Sequence, residues 1–131
     1  MEQPFLSIVI PAYKEGQRIT DTLQSIHTYL AQHSYTAEVI IVVDGSPDNT
    51  AEIAEQFAQE NSYVKVVNNQ ENQGKGAVVR QGLLLAKGEY QLFMDADGST
   101  SIDHIDVFLP ELQQAGFDVV VGSRDIAGAH I

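Results

Sequence analysis

Asp95 and Asp97, in Asp95-Ala96-Asp97-Gly98-Ser99-Thr100, are the residues whose spacing most suggests chemistry. Two carboxylates two residues apart repel each other unless a cation lies between or beside them. Mg²⁺ or Mn²⁺ suits one or two carboxylates completed by the phosphates of a substrate. The competing account is an Asx-rich turn with Asp97-Gly98 at its corner. Asp44 also needs explaining, because it ends a strongly apolar run, where an unpaired charge is costly. In Gln73-Gly74-Lys75-Gly76, two glycines flank a lysine at the entrance of a helical pattern. Such a stretch either presents backbone N–H groups and one cation to a phosphate or is simply a turn. It is not a P-loop, which needs Gly-x-x-x-x-Gly-Lys-Ser/Thr, nor a dinucleotide fingerprint, which belongs after the first strand and needs a small residue where Val79 stands. Arg80, one turn further on, offers a second cation.

Three more stretches bear on the chemistry, two of them open to two readings. In Pro11-Ala12-Tyr13-Lys14-Glu15-Gly16, Pro11 stiffens a strand exit and Glu15 favours a helix N-terminus. Alternatively, Tyr13 gives a flat face and Glu15 an acceptor to a base or ribose. In Asp44-Gly45-Ser46-Pro47-Asp48-Asn49-Thr50, Gly45 permits close backbone approach and Asp48 or Asn49 caps a helix. In Gly122-Ser123-Arg124-Asp125, Arg124 either holds an anion through a bidentate contact or pairs with Asp125. The 4 histidines show no ligand spacing.

The elements that must position these residues alternate. Apolar runs rich in Val, Ile and aromatics occupy 5–10, 39–43, 64–67, 90–94 and 117–121, as expected of strands buried on both faces. Ile19, Leu23, Ile26 and Leu30 recur at helical spacing, and Ile53 and Phe57 mark a second helix after Asp48-Asn49-Thr50. A third helix fits 77–87, closed by Gly88, and a fourth fits 102–114, closed by Gly116 and broken or kinked at Pro110. This β-α-β-α-β-α-β-α-β pattern calls for a parallel sheet with helices on both faces, and ligands sit beyond the carboxyl ends of its strands. Every stretch described above follows a strand.

Composition narrows the partners. Among 131 residues, 18 are acidic and 7 basic, for a net charge of −11. That excludes nucleic acid, which needs a basic patch, and disfavours anionic lipid headgroups. A nucleotide would be repelled at long range unless a metal ion mediates the contact. With no cysteine there are no disulfides, thiolate metal sites or cysteine nucleophiles, which agrees with a cytoplasmic protein. No apolar run approaches the roughly 18 residues of a transmembrane segment, and Met1-Glu2-Gln3-Pro4 lacks the basic start of a signal peptide. The length suits one domain.

Taken in order, Pro11-Ala12-Tyr13-Lys14-Glu15, Asp44-Gly45-Ser46-Pro47-Asp48, Asn72-Gln73-Gly74-Lys75-Gly76 and Asp95-Ala96-Asp97 resemble the family 2 glycosyltransferases, inverting enzymes of the GT-A (Rossmann-like) fold. Asp95 to Thr100 and Gly122-Ser123-Arg124 are similar to the polyprenyl- and dolichyl-phosphate glucosyltransferase branch. The resemblance implies that Pro11, Ala12, Tyr13 and Glu15 line the pocket for the nucleotide base, with Asp44 bonding the base and Gly45 and Ser46 shaping the pocket. It implies Lys75 near the donor, Asp95 and Ala96 near the ribose and metal, and Asp97 as principal ligand of Mg²⁺ or Mn²⁺, with Asp95 as a further ligand. Arg124 would serve a phosphate of donor or acceptor, so Asp97 and Arg124 carry the catalytic roles. The donor would be a UDP-sugar, UDP-glucose first, and the acceptor a polyprenyl or dolichyl phosphate at the cytoplasmic face of a membrane. Two positions depart from the pattern: Lys14 stands where the family usually has Asn, and Val43 where many members have a first Asp.

Family catalytic domains continue past the strand that ends in Gly-Ser-Arg, so residues 1–131 are expected to form the donor part of a domain truncated on its acceptor side. A homodimer covering the apolar edge left there is the expectation that follows. Three alternatives stand beside this reading. One is a non-catalytic nucleotide-sugar-binding or interaction module. A sugar-phosphate nucleotidyltransferase would need a glycine-rich loop with Arg after the first strand, which Pro11 to Gly16 does not supply. A phospho-receiver domain would need paired acids where Ile10-Pro11 stands and a Lys where Gly122-Ser123 stands.

Overall fold

The computed structural model of the chain describes residues 3–34, 36–97 and 119–122. Among these, the order is β1 (Leu6–Ala12), α1 (Ile19–Ala31), β2 (Ala37–Asp44), α2 (Thr50–Glu60), β3 (Val64–Asn69), α3 (Lys75–Leu85), β4 (Tyr90–Met94) and β5 (Val119–Gly122). The strands form one parallel sheet in the order β3-β2-β1-β4-β5.

The apolar runs form this sheet because they can be buried on both sides. Leu6, Ile8, Ile10, Val39, Ile41 and Val43 pack against Ile19, Leu23, Ile26 and Tyr29 of α1 and against Ala54 and Phe57 of α2. The alternate residues Val9, Ile40, Val42 and Phe93 pack against Val78 of α3 on the other face. The period-two alternation of strand side chains thus feeds two separate cores. The expected α/β sheet with helices on both faces is what forms.

Strand order reverses at β1. Its pairing with β4 runs only from Leu6↔Tyr90 to Val9↔Phe93. Its pairing with β2 continues to Ala12↔Val43. Beyond Val9 the two central strands therefore part and leave a crevice at the switch point, where open α/β sheets bind their ligands. Pro11, which has no N–H to give a ladder, lies past the last β4 pair.

Several boundaries differ from the sequence reading. The first strand extends through Pro11 to Ala12, and the fifth is Val119–Gly122. The third helix starts at Lys75 and stops at Leu85, two residues earlier at each end than expected, and Gly88 does not cap it. A buried carboxylate competes for the chain there: the N–H of Lys87 donates to Glu38 Oε2 at 2.6 Å and that of Gly88 to Ser7 Oγ at 2.7 Å. Gly88 is required by proximity, since a Cβ on it would lie 2.5 Å from Ser7 Oγ and 2.7 Å from Ser7 N. Asn49 occupies the N-cap of α2 without a side-chain capping bond; Asp48 Oδ1 instead accepts the N–H of Thr50 at 3.2 Å. The helix expected over 102–114 lies outside the described residues. Among the described residues, no helix is long and apolar enough to cross a membrane.

Candidate functional site

The crevice is a cleft of about 610 Å³. Pro11, Ala12, Tyr13 and Glu15 line it from the exit of β1, Asp44 from the end of β2, Lys75 from the first turn of α3, and Asp95, Ala96 and Asp97 from the exit of β4. Nine of the residues singled out in the sequence are thus brought to one place, because a parallel sheet delivers every strand exit to the same edge. Asn72, Gly74 and Val78 complete the lining. Gly45 and Ser46 do not line the cleft but touch segments that do, Gly45 packing on the backbone of Asn72 and Ser46 Oγ accepting the N–H of Lys14. Arg80 is exposed and also lies off the cleft. Arg124 lies outside the described residues.

The Asp95-Ala96-Asp97 segment is held from α1. Ala96 is fully buried, and its carbonyl accepts the hydroxyl of Thr22 at 2.8 Å. A larger residue at 96 would push the two carboxylates away from this anchor. Lys75 Nζ lies 2.5 Å from Asp95 Oδ1 and 5.7 Å from the ring centroid of Phe93. Glu15 belongs to the same electrostatic neighbourhood. Burial pushes its carboxyl above the usual range, the adjacent Arg18 opposes this, and the negative charges of Asp97 and Asp95 add to the rise.

Asp44 resolves the puzzle of a charge at the end of an apolar strand. The residue is buried, with 4% of its surface exposed. Its Oδ1 accepts the N–H of Gln73 at 2.8 Å and its Oδ2 that of Gly74 at 3.0 Å. Its carbonyl accepts Asn72 Nδ2 at 3.1 Å. The Gly-Lys-Gly stretch therefore does not offer the amide of Gly74 to a phosphate; that amide is committed to Asp44, and the cation of Lys75 is what the loop delivers to the cleft. Gly45 adopts φ +67°, and a Cβ there would lie 2.7 Å from the backbone N of Asn72, so the β2 exit and the loop before α3 touch backbone to backbone.

The donor set suits a hard divalent cation. Asp95 and Asp97 supply carboxylate oxygens, and their combined charge is felt at Glu15. Among the described residues no three His, Cys, Asp or Glu side chains are grouped to hold a metal ion by themselves. Two carboxylates completed by phosphate oxygens is the coordination Mg²⁺ commonly takes.

Residues 7–131 match the family model for glycosyl transferase family 2. The chain belongs to glycosyltransferase family 2. Within it, the chain is 38% identical over 129 residues to a dolichyl-phosphate beta-glucosyltransferase of Trichomonas vaginalis, covering 92% of this chain and 38% of that protein. It is 39% identical over 131 residues to the dolichyl-phosphate beta-glucosyltransferase of Drosophila melanogaster, covering 91% of this chain and 40% of that one. The chain thus spans about two fifths of the length of these curated relatives. Among solved structures, S. aureus TarS 1-349 in complex with UDP-GlcNAc superposes with a TM-score of 0.66 at 28% identity, over 83% of this chain and 31% of that one. The mannosyltransferase PcManGT from Pyrobaculum calidifontis, in complex with GDP-Man and Mn²⁺, gives 0.63 at 25% identity, over 74% and 28%. The GT-A architecture expected of family 2 is therefore the one this chain shares with nucleotide-sugar-bound neighbours.

Two positioning contacts in this family 2 chain were not visible in its sequence. Thr22 carries no motif of its own, and the local spacing of Asp48 is that of a helix cap. Nothing in local spacing points to a contact between Thr22 and Ala96, 74 residues apart.

Proposed function

We propose that this chain forms the donor-binding part of a metal-dependent, inverting glycosyltransferase that takes a UDP-sugar, UDP-glucose first, and whose acceptor in the whole protein is a polyprenyl or dolichyl phosphate at the cytoplasmic face of a membrane. The observation that supports it is the convergence of Asp44, Lys75, Asp95 and Asp97 on one cleft at the sheet's switch point. The names of the relatives support the acceptor and the sugar.

Each residue has a task that follows from its chemistry. The Asp44 carboxylate is oriented by two backbone donors and has only acceptor capacity. Toward the cleft it accepts from an N–H such as uracil N3–H and rejects a base that presents a lone pair there. Tyr13 offers its ring face to the base, and Glu15 accepts a ribose hydroxyl. Lys75 brings positive charge to the diphosphate. Asp97, with Asp95, would hold Mg²⁺ or Mn²⁺, which when bound neutralises charge growing on the departing diphosphate. The acceptor oxygen attacks the anomeric carbon from the opposite face. A lipid phosphate monoester has a second pKa near 6, so it is already mostly a dianion at pH 7 and needs no general base. What remains is to position two anions against their repulsion, a task to which Arg124 is assigned.

Titration calorimetry with UDP and Mn²⁺ tests this reading. Saturable binding is expected, lost on chelation of the metal and lost in Asp97→Ala. A folded chain that binds no UDP, or an Asp97→Ala variant that binds as well as the parent, overturns it.

A further inference from the structure

Three successive backbone N–H groups at the exit of β1 are all received by the loop after β2. Lys14 N donates to Ser46 Oγ at 2.8 Å, Glu15 N to Thr50 Oγ1 at 3.0 Å, and Gly16 N to Asp48 Oδ2 at 3.1 Å. Lys14 has a left-handed backbone, φ 56°, which turns this segment sharply. Consecutive N–H groups gathered by such a turn form a concavity of the kind that binds anions. Here the acceptors come from the chain itself, two hydroxyls and one carboxylate oxygen. Asp48 Oδ1 accepts the hydroxyls of both Ser46 and Thr50, each at 2.5 Å, and the N–H of Thr50. The two hydroxyls that receive the amides of Lys14 and Glu15 are therefore aimed by Asp48, which receives the third amide directly. Desolvation acts to raise the pKa of Asp48, but donors from Ser46, Thr50 and Gly16 outweigh it and hold the carboxyl well below the usual range.

We infer that Asp48, acting through Ser46 and Thr50, is a positioning residue that presets the Tyr13–Glu15 wall of the cleft against the wall that carries Asp44. Asp48 and Thr50 do not line the cleft, whereas Tyr13, Glu15 and Asp44 all do. The occupied concavity also has a consequence for ligand binding. With all three amides already received by Ser46, Thr50 and Asp48, the 14–16 turn has none left to offer a phosphate. This inference rests on the nucleotide reading above, and its test separates the two.

Three variants of the chain, Asp48→Asn, Thr50→Val and Thr50→Ser, are compared by amide hydrogen exchange without ligand and by calorimetry with UDP and Mn²⁺. Asp48→Asn removes an acceptor, Thr50→Val removes a hydroxyl at constant shape, and Thr50→Ser keeps it. The first two are expected to speed exchange at Lys14, Glu15 and Gly16 and to weaken UDP by on the order of tenfold, with protection of Ile8, Val9 and Ile10 unchanged. Thr50→Ser is expected to behave as the parent. Unchanged exchange at 14–16 in Asp48→Asn overturns the clamp, as does a loss of protection shared equally by the β1 core. Faster exchange with unaltered UDP affinity overturns its link to binding. A parent chain that binds no UDP counts against the nucleotide reading, and the exchange data then decide the clamp alone.

Discussion

Asp44 holds Gly74 from 30 residues away, its Oδ2 accepting the glycine N–H at 3.0 Å while Oδ1 takes that of Gln73. This partly buried contact fixes where α3 begins, and hence where Lys75 stands. Asp44→Asn would turn one acceptor oxygen into an NH₂ group facing an N–H. Leaving a buried donor without an acceptor costs about 1–3 kcal/mol. The variant is expected to unfold at lower urea concentration with an unchanged m-value, and to bind UDP more weakly than the parent. An unaltered midpoint would show that the latch contributes nothing to stability.

What could be read in the sequence follows from what is local. Val39 to Val43 reads as a buried strand, and Ile19, Leu23 and Ile26 as the core face of a helix, because periodicity depends on near neighbours. The cleft was legible for a related reason: once the sheet is parallel, Pro11–Glu15, Asp44, Lys75 and Asp95–Asp97 must share an edge. The contacts that set boundaries and positions were hidden because they join distant stretches. The end of α3 depends on Glu38, 49 residues before Lys87. Asp48 has the local spacing of a helix cap, and its second task becomes visible only when Gly16 is found 3.1 Å away. The amide of Gly74 has no local partner because its acceptor, Asp44, ends a strand 30 residues away.

Acid is expected to destabilise the molecule in part through Glu38. This buried carboxylate receives Ser7 Oγ at 2.6 Å, the N–H of Lys87 at 2.6 Å and Lys65 Nζ at 3.1 Å. Burial acts to raise its pKa, but these donors prevail and the folded value lies below the ordinary one. Its stabilising contribution is therefore fully present above the unfolded pKa, near 4.3, and is lost as pH falls through the lower folded value. Asp48, also shifted down, acts in the same direction. Urea midpoints are expected to hold from pH 7 to about 5 and to drop below pH 4. Glu38→Gln should lower the midpoint at pH 7 and flatten the fall in acid. An identical acid limb in parent and variant would remove Glu38 as a cause.

Lys75 and Asp95 set up a competition at the mouth of the cleft. The ammonium lies 2.5 Å from Asp95 Oδ1, with the Lys75 side chain 59% exposed and that of Asp95 18% exposed. Exposed pairs of this kind are worth about 0–1 kcal/mol, so Lys75 holds Asp95 weakly. In Lys75→Gln the carboxylates lose one neighbouring cation, and Mn²⁺ alone, followed by its electron paramagnetic resonance signal, is expected to bind up to about fivefold tighter. UDP added with saturating Mn²⁺ is expected to bind more weakly, because the diphosphate loses the same charge. Opposite changes for the ion and the nucleotide distinguish a cation shared between Asp95 and the diphosphate from one that only stabilises the loop, which would shift both the same way.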